Sequence, residues 1–101
     1  MTESIESLFD KAMMDIYRKA LKEAHYDARR FLQMLLEHHG IETARRLLYS
    51  SHVSEGYTAL YERQRLDLTV EALIMRPEWN ELFTDEDREI ARKRLKEYGY
   101  S

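Results

Sequence analysis

Residues 5–36 have the sequence IESLFDKAMMDIYRKALKEAHYDARRFLQMLL, in which apolar side chains return every three or four positions. That spacing places them along one face of an α-helix. One helix over this whole stretch would be unusually long for a chain of 101 residues. We therefore predict two helices, at about 4–23 and 27–39, with a break near His25 and with Asp27 capping the second helix.

The helix predicted at 27–39 is the most apolar segment of the chain. We expect it to lie at the centre of the core, with Phe31, Leu35 and Leu36 almost fully buried. Gly40 follows it directly, and glycine is the usual left-handed residue after a helix end.

The remaining sequence continues the helical pattern. Asp67 and Thr84 are predicted helix caps, the latter in a capping box with Asp87, and Gly99 marks a helix end. Thr2 or Ser4 is expected to cap the first helix. The further predicted segments are 41–50, 57–64, 67–75, a short turn started by Pro77 at 77–83, and 85–98. No apolar and polar alternation of strand length occurs, so the predicted fold is one all-α domain over 1–101, a compact bundle of five to six helices.

Composition argues against several classes of protein. The chain has no cysteine, which excludes a disulfide scaffold and a thiolate nucleophile. Sixteen Lys and Arg oppose nineteen Asp and Glu, and neither half is basic, which disfavours non-specific binding to polyanions. The acidic start lacks an apolar signal segment, and no apolar run reaches the ~20 residues of a membrane span. We expect a cytoplasmic protein without membrane contact.

Neither a metal site nor a catalytic set is recognisable in the sequence. His38 and His39 are adjacent, so on a helix their side chains diverge by about 100° and cannot easily share a metal. The sequence has no paired-histidine motif, no glycine-rich phosphate loop and no recognisable nucleophile context. We predict no metal, no cofactor and no enzymatic activity.

Arg94 stands out because it projects within the apolar sector of the helix predicted at 85–98. A buried guanidinium needs a carboxylate partner. We predict an ion pair between Arg94 and Asp67 or Glu71, with Asp87 as the intrahelical alternative.

Residues 31–49 have the pattern of a degenerate helix-turn-helix, with Gly40 at the turn. Leu36 occupies a position where a small residue usually lets the helices approach, and Arg46 one where an aliphatic residue is usual. Arg45 and Arg46 could contact phosphate, although a solvated helix face is the more ordinary interpretation.

Seven tyrosines are many for a chain of this length. Tyrosine is rigid and amphipathic, and it is enriched at protein interfaces. Ordinary packing accounts for most tyrosines, whereas an exposed cluster of two or three would favour a protein partner. The candidate interaction residues are Arg45, Arg46, Tyr57, Tyr61, Trp79, Tyr98 and Tyr100.

Several segments together resemble an uncharacterised bacterial and phage family of small helical domains. They are FLQM from Phe31, GxxTAxxLL from Gly40, GYxxL from Gly56, RLDLTVEAL from Arg65, PEWxxLFT from Pro77 and ARxRLxxYGY from Ala91. His25 stands where that family usually has glycine. The resemblance implies an intracellular bacterial or phage origin and no particular activity.

These patterns favour a non-enzymatic protein-interaction or accessory module of a bacterial or phage cell, for which a second copy of the chain is one candidate partner. The alternative is a nucleic-acid-associated regulator that uses residues 31–49. A weaker alternative is a phage-type inhibitor of a host enzyme.

Overall fold

A computed structural model describes residues 3–100. Five α-helices follow one another: α1 (Ile5–Glu23), α2 (Arg29–Leu48), α3 (Glu55–Glu62), α4 (Val70–Ile74) and α5 (Asp85–Glu97). Two 3₁₀ segments, Leu66–Leu68 and Pro77–Leu82, flank α4. No strand occurs within residues 3–100, and the radius of gyration of 12.7 Å matches the ~13 Å of a packed chain of this length. The predicted all-α bundle is confirmed.

The break between the first two helices lies where the sequence predicts it. His25 has a φ of 54°, a left-handed conformation that stops α1. Asp27 does not cap α2, because its carboxylate accepts hydrogen bonds from Tyr17 Oη at 2.7 Å and Arg29 Nε at 2.8 Å. Ala28 holds the N-cap position without a side-chain hydrogen bond.

At the start of α1, Ser4 accepts a hydrogen bond from the Ser7 backbone N–H and is the cap. The alternative cap, Thr2, lies outside the described residues.

The helices predicted at 27–39 and 41–50 form one kinked helix, α2. The residue with non-helical backbone angles is His39, with φ 66° and ψ 176°, so the left-handed role predicted for Gly40 is wrong. Gly40 is required for a different reason. A Cβ atom there would lie 2.8 Å from Asp10 Oδ1 and 2.9 Å from the Phe9 ring, so only glycine lets α1 approach the kink.

Beyond α3 the predicted caps are partly correct. Asp67 does not cap a helix; it lies in the 3₁₀ segment and binds Arg65 at 3.0 Å. Thr69 caps α4 instead, accepting from the Ala72 N–H at 3.2 Å. Thr84 forms the predicted capping box of α5.

Pro77 begins the second 3₁₀ segment, as expected. Gly99, with a φ of 79°, follows α5.

The most enclosed element is α4, in which four of five residues are buried. In segment 29–38 only Leu35 is buried, whereas Phe31 is half-buried and Leu36 is 67% exposed. The predicted burial of Leu35 is confirmed, whereas that of Phe31 and Leu36, and with it the central position of this segment, is wrong. The main core consists of Phe9, Met13, Ile16, Leu35, Ala44, Leu48, Val70, Leu73, Ile74, Trp79, Phe83 and Ala91.

Candidate functional site

The predicted ion pair of Arg94 is present, and its partner is Glu71. Arg94 Nη1 lies 3.1 Å from Glu71 Oε2, and the two side chains are only 13% and 5% exposed. The guanidinium also donates to the carbonyl oxygens of Leu47 at 2.9 Å and Ser50 at 2.8 Å. Arg94 therefore ties α5 to α4 and to the end of α2. The alternative partner Asp67 is wrong, since Arg65 holds that carboxylate.

Glu71 is an unusual carboxylate because it sits on the most enclosed helix. Burial raises its pKa above the ordinary value, while its own backbone N–H and Arg94 act in the opposite direction without cancelling that effect. The ionised form is thus less well stabilised than it would be in water.

Asp87, the other acid considered for Arg94, has different partners. It accepts hydrogen bonds from Tyr49 Oη at 2.6 Å and the Thr84 N–H at 3.0 Å, and Arg45 Nε lies 3.7 Å away. Burial alone would raise the pKa of Asp87, but these hydrogen bonds together hold it below its ordinary value. The intrahelical pair with Arg94 is therefore wrong.

Both arginines of the predicted recognition helix already have intramolecular partners. Arg45 donates to the Leu82 carbonyl at 3.2 Å, and its guanidinium lies 6.0 Å from the centre of the Phe83 ring. Arg46 Nε lies 3.2 Å from Glu42 one helical turn earlier. The Arg45 and Arg46 side chains are nevertheless 44% and 53% exposed.

The candidate aromatic residues divide into buried and exposed ones. Trp79 is buried edge-on against Phe9, with ring centres 5.2 Å apart, so its predicted role at an interface is wrong. Tyr57 is also buried, and its hydroxyl donates to the Arg94 carbonyl at 3.1 Å. Tyr57 is therefore a packing residue.

Three tyrosines, two exposed and one half-buried, lie where α3 and α5 end. The Tyr61 and Tyr98 rings stack edge to face with centres 5.0 Å apart, and Tyr61 is 43% exposed. Tyr100 follows two residues after Tyr98 and is also exposed. We call Tyr61, Tyr98 and Tyr100 the tyrosine surface.

A cavity of about 430 Å³ opens between α1, α2, α3 and α4. We call it the inter-helix cavity. Its walls include Ile16, Ala20, Phe31, Met34, Leu60 and Val70. Glu71 also lines it. Sequence analysis did not predict it, because its lining comes from four helices and follows no local motif.

Two further findings concern the part of the chain described here. Residues 3–100 contain no group of three or more histidines, cysteines or carboxylates placed to hold a metal ion. Within the same range, no helix is both long and apolar enough to cross a membrane.

No protein-family model, curated protein or solved structure matches the chain. The resemblance to a bacterial and phage family therefore stays a prediction.

Proposed function

We propose that the protein is a non-enzymatic interaction module that binds a protein partner through the tyrosine surface. The observation that supports this is the edge-to-face stack of Tyr61, which is 43% exposed, on the half-buried ring of Tyr98. Tyrosines at interfaces contribute large contact areas and lose little conformational entropy on binding.

The backbone around the tyrosine surface is held in place at both helix ends. After α3, the Arg65 N–H donates to the Leu60 carbonyl at 2.8 Å. After α5, the Tyr100 N–H donates to the Leu95 carbonyl at 2.9 Å. These are the six-to-one hydrogen bonds of a Schellman motif, which fix the last turn of a helix. A partner would therefore meet a pre-ordered surface, and preorganisation lowers the entropic cost of binding.

The nucleic-acid alternative has less support. Phosphate would compete with the contacts that Arg45 and Arg46 already make to the Leu82 carbonyl and the Glu42 carboxylate. The interaction module is therefore the function we favour.

Affinity capture from a native bacterial extract tests this proposal. We expect wild-type protein to retain a specific partner and the double variant Tyr61→Ala/Tyr100→Ala to lose it while it remains folded, with the helical circular dichroism of wild type. The matched control is Tyr49→Ala, because Tyr49 is 51% exposed and binds Asp87 at the opposite end of α5. Eleven helical residues, or about 16 Å at 1.5 Å per residue, separate Asp87 from Tyr98.

Capture that survives in the double variant, or is lost equally in the Tyr49→Ala control, would contradict a role of the tyrosine surface. Loss in the double variant alone would support it.

A further inference from the structure

We propose that the inter-helix cavity binds an uncharged small molecule built on an aromatic frame. This site is separate from the tyrosine surface and does not depend on the proposed function.

The size and walls of the cavity suit a small molecule. Its volume of about 430 Å³ falls within the ~300–1,000 Å³ of ligand pockets. At roughly 30 Å³ per water, it holds about fourteen water-sized groups. Most of its wall is apolar, so water inside makes few hydrogen bonds to the protein and an apolar ligand displaces it with a gain in affinity.

The side chains of the wall favour an aromatic ligand. Four rings and one thioether line the cavity, from Tyr17, Tyr26, Phe31, Tyr57 and Met34. Aromatic rings attract one another in offset and edge-to-face contacts, and a thioether sulfur packs well against a ring edge. Phe31 and Met34 are only partly buried. A ring in the cavity would therefore cover apolar surface that the helices leave open.

The charged groups around the cavity are already paired with one another, which disfavours an ionic ligand. Three carboxylates and two guanidiniums line it, and the third guanidinium comes from outside the lining. The pairs are Arg29 with Asp27 at 2.8 Å, Arg30 with Glu55 at 3.9 Å, and Arg94 with Glu71 at 3.1 Å. A charged ligand would lose its water without gaining an unpaired partner, and that desolvation is costly. An uncharged ligand has no such penalty.

Contacts between the elements hold the cavity in shape. Arg63 Nε, at the end of α3, donates to the Ala24 carbonyl at the end of α1 at 3.0 Å. The same guanidinium lies 5.2 Å from the centre of the Tyr26 ring, which is part of the wall. Tyr17 Oη on α1 donates to Asp27 before α2 at 2.7 Å. The site is therefore formed before a ligand arrives, which lowers the entropic cost of binding.

Titration of isotopically labelled protein with naphthalen-1-ylmethanol, followed by NMR, tests the inference. Matched probes on the same ring are naphthalen-1-ylmethylamine, which is a cation, and naphthalene-1-carboxylate, which is an anion. We expect the alcohol to bind about tenfold more tightly than either ion, with shifts centred on cavity residues, because neither charge finds an unpaired partner. Its affinity should be the same at low and high salt, since no charge pair forms.

Variants at Gly56 locate the binding. A Cβ there would lie 3.7 Å from the Tyr26 ring, and both residues line the cavity. Gly56→Leu therefore places a side chain beside the ring in the space of the ligand and should weaken binding of the alcohol about tenfold, as loss of most of the apolar contact requires. Gly56→Ala adds only the Cβ and is the matched control, which should bind nearly as wild type. Glu55→Gln removes a charge from the lining and should leave the affinity for the alcohol unchanged.

The inference fails if the three compounds bind equally, or if the shifts lie away from the cavity. Tightest binding by the amine or the carboxylate, weakened by salt, would show an unpaired charge in the lining and would also overturn it. So would a Gly56→Leu protein that keeps the helical circular dichroism of wild type and binds the alcohol as wild type does. The ranking of the three compounds and the position of the shifts decide the matter even if Gly56→Leu does not fold.

Discussion

Within residues 3–100, three residues other than glycine have a positive φ, in the left-handed region. They are His25, His39 and Gln64, with φ values of 54°, 66° and 60°. Such a conformation costs an L-residue about 1–2 kcal/mol. His25 and Gln64 follow helix ends, where glycine is the usual residue. These positions therefore carry local strain that the surrounding packing must offset.

We expect His25→Gly to stabilise the protein by about 0.5–1 kcal/mol, because relief of the strained φ outweighs the greater entropy of a glycine in the unfolded chain. Urea unfolding measures this as a higher midpoint with an unchanged slope. The control is His25→Ala, which keeps a Cβ and should give no gain. If the alanine variant gained as much as the glycine variant, backbone strain would not be the cause.

The pair of Arg94 and Glu71 predicts an asymmetric response to mutation. Arg94→Met leaves a buried carboxylate without a partner and should cost about 3–5 kcal/mol at neutral pH. Glu71→Gln should cost much less, because the amide removes the charge whose burial is unfavourable and Arg94 retains two backbone carbonyls. Chemical denaturation of the two variants measures the difference.

The pH dependence of Arg94→Met follows from the raised pKa of Glu71. Because the pKa of Glu71 is raised in the folded state, protonated Glu71 stabilises the fold relative to the unfolded chain. This stabilisation is fully present below pH 4.5, the ordinary pKa of a glutamate, and is lost as the pH rises through the folded-state pKa. The deficit of Arg94→Met relative to wild type should therefore shrink as the pH falls towards 4.5. A constant deficit between neutral and acidic pH would show that Glu71 is not the group involved.

At the residue scale, the sequence predicts that Arg94 needs an acid because its position falls in an apolar sector. The sequence cannot choose between Asp67 and Glu71, because both lie on one helix face if 67–75 is a regular α-helix. In the structure, the 3₁₀ segment Leu66–Leu68 interrupts that helix, so Asp67 leaves this face and lies beside Arg65. Such a break depends on the Thr69 cap, which competes with Asp67 for the start of the helix.

At the scale of elements, the kink of α2 depends on close contact with α1. The Gly40 N–H donates to Asp10 Oδ1 at 2.6 Å, and the space beside it is filled by Phe9. We expect Gly40→Ala to cost about 1–3 kcal/mol by overpacking. Gly56→Ala is the matched helical change, because a Cβ there would make only ordinary van der Waals contact, 3.7 Å from the Tyr26 ring, and it should stabilise by about 0.5–1 kcal/mol. Thermal unfolding of both variants tests this, and a stable Gly40→Ala protein would contradict the close approach.

The same element gives a second test of core placement. Leu35 is buried, so Leu35→Ala should cost about 2–5 kcal/mol. Leu36 is exposed, so Leu36→Ala should change stability by less than about 0.5 kcal/mol. Denaturant midpoints measure the stability loss of each variant. Equal losses would show that Leu36 is as buried as Leu35, as the apolar spacing predicts.

The apolar spacing misassigns Leu36 because periodicity reports a helix face and not the amount of protein that covers it. Segment 29–38 has α1 on one side, while the inter-helix cavity borders Phe31 and Met34. The apolar face of segment 29–38 is therefore only partly covered by other helices. A similar limit applies to Tyr57 and Tyr61, which are one turn apart yet buried and exposed respectively.

For the molecule as a whole, helix content and the all-α class follow from the regular apolar spacing over most of the chain. The inter-helix cavity does not, because Ile16, Phe31, Leu60 and Glu71 meet only after four helices pack. The tyrosine surface can be predicted in part. The sequence shows which residues are tyrosines, but their exposure depends on where α3 and α5 end.

The charge of the whole molecule leads to a prediction about nucleic acid. Net charge is −3, and the two arginines of the predicted recognition helix are held by intramolecular contacts. Binding to duplex DNA draws on several phosphate contacts and is therefore steeply salt-dependent. We expect the isolated monomer to bind duplex DNA no more tightly than about 10⁻⁴–10⁻⁶ M, the non-specific range at physiological salt.

Fluorescence anisotropy over a range of salt concentrations measures this affinity, at protein concentrations where sedimentation shows a monomer. A dimer would bring two copies of Arg45 and Arg46 together, so the oligomeric state must be known. The decisive variant is Arg45→Ala/Arg46→Ala, which removes the cations of the candidate recognition helix. If wild-type protein bound with sub-micromolar, salt-sensitive affinity and this variant lost it at an unchanged melting temperature, the nucleic-acid alternative would replace the interaction module, because phosphate contacts by these two arginines would then explain both results.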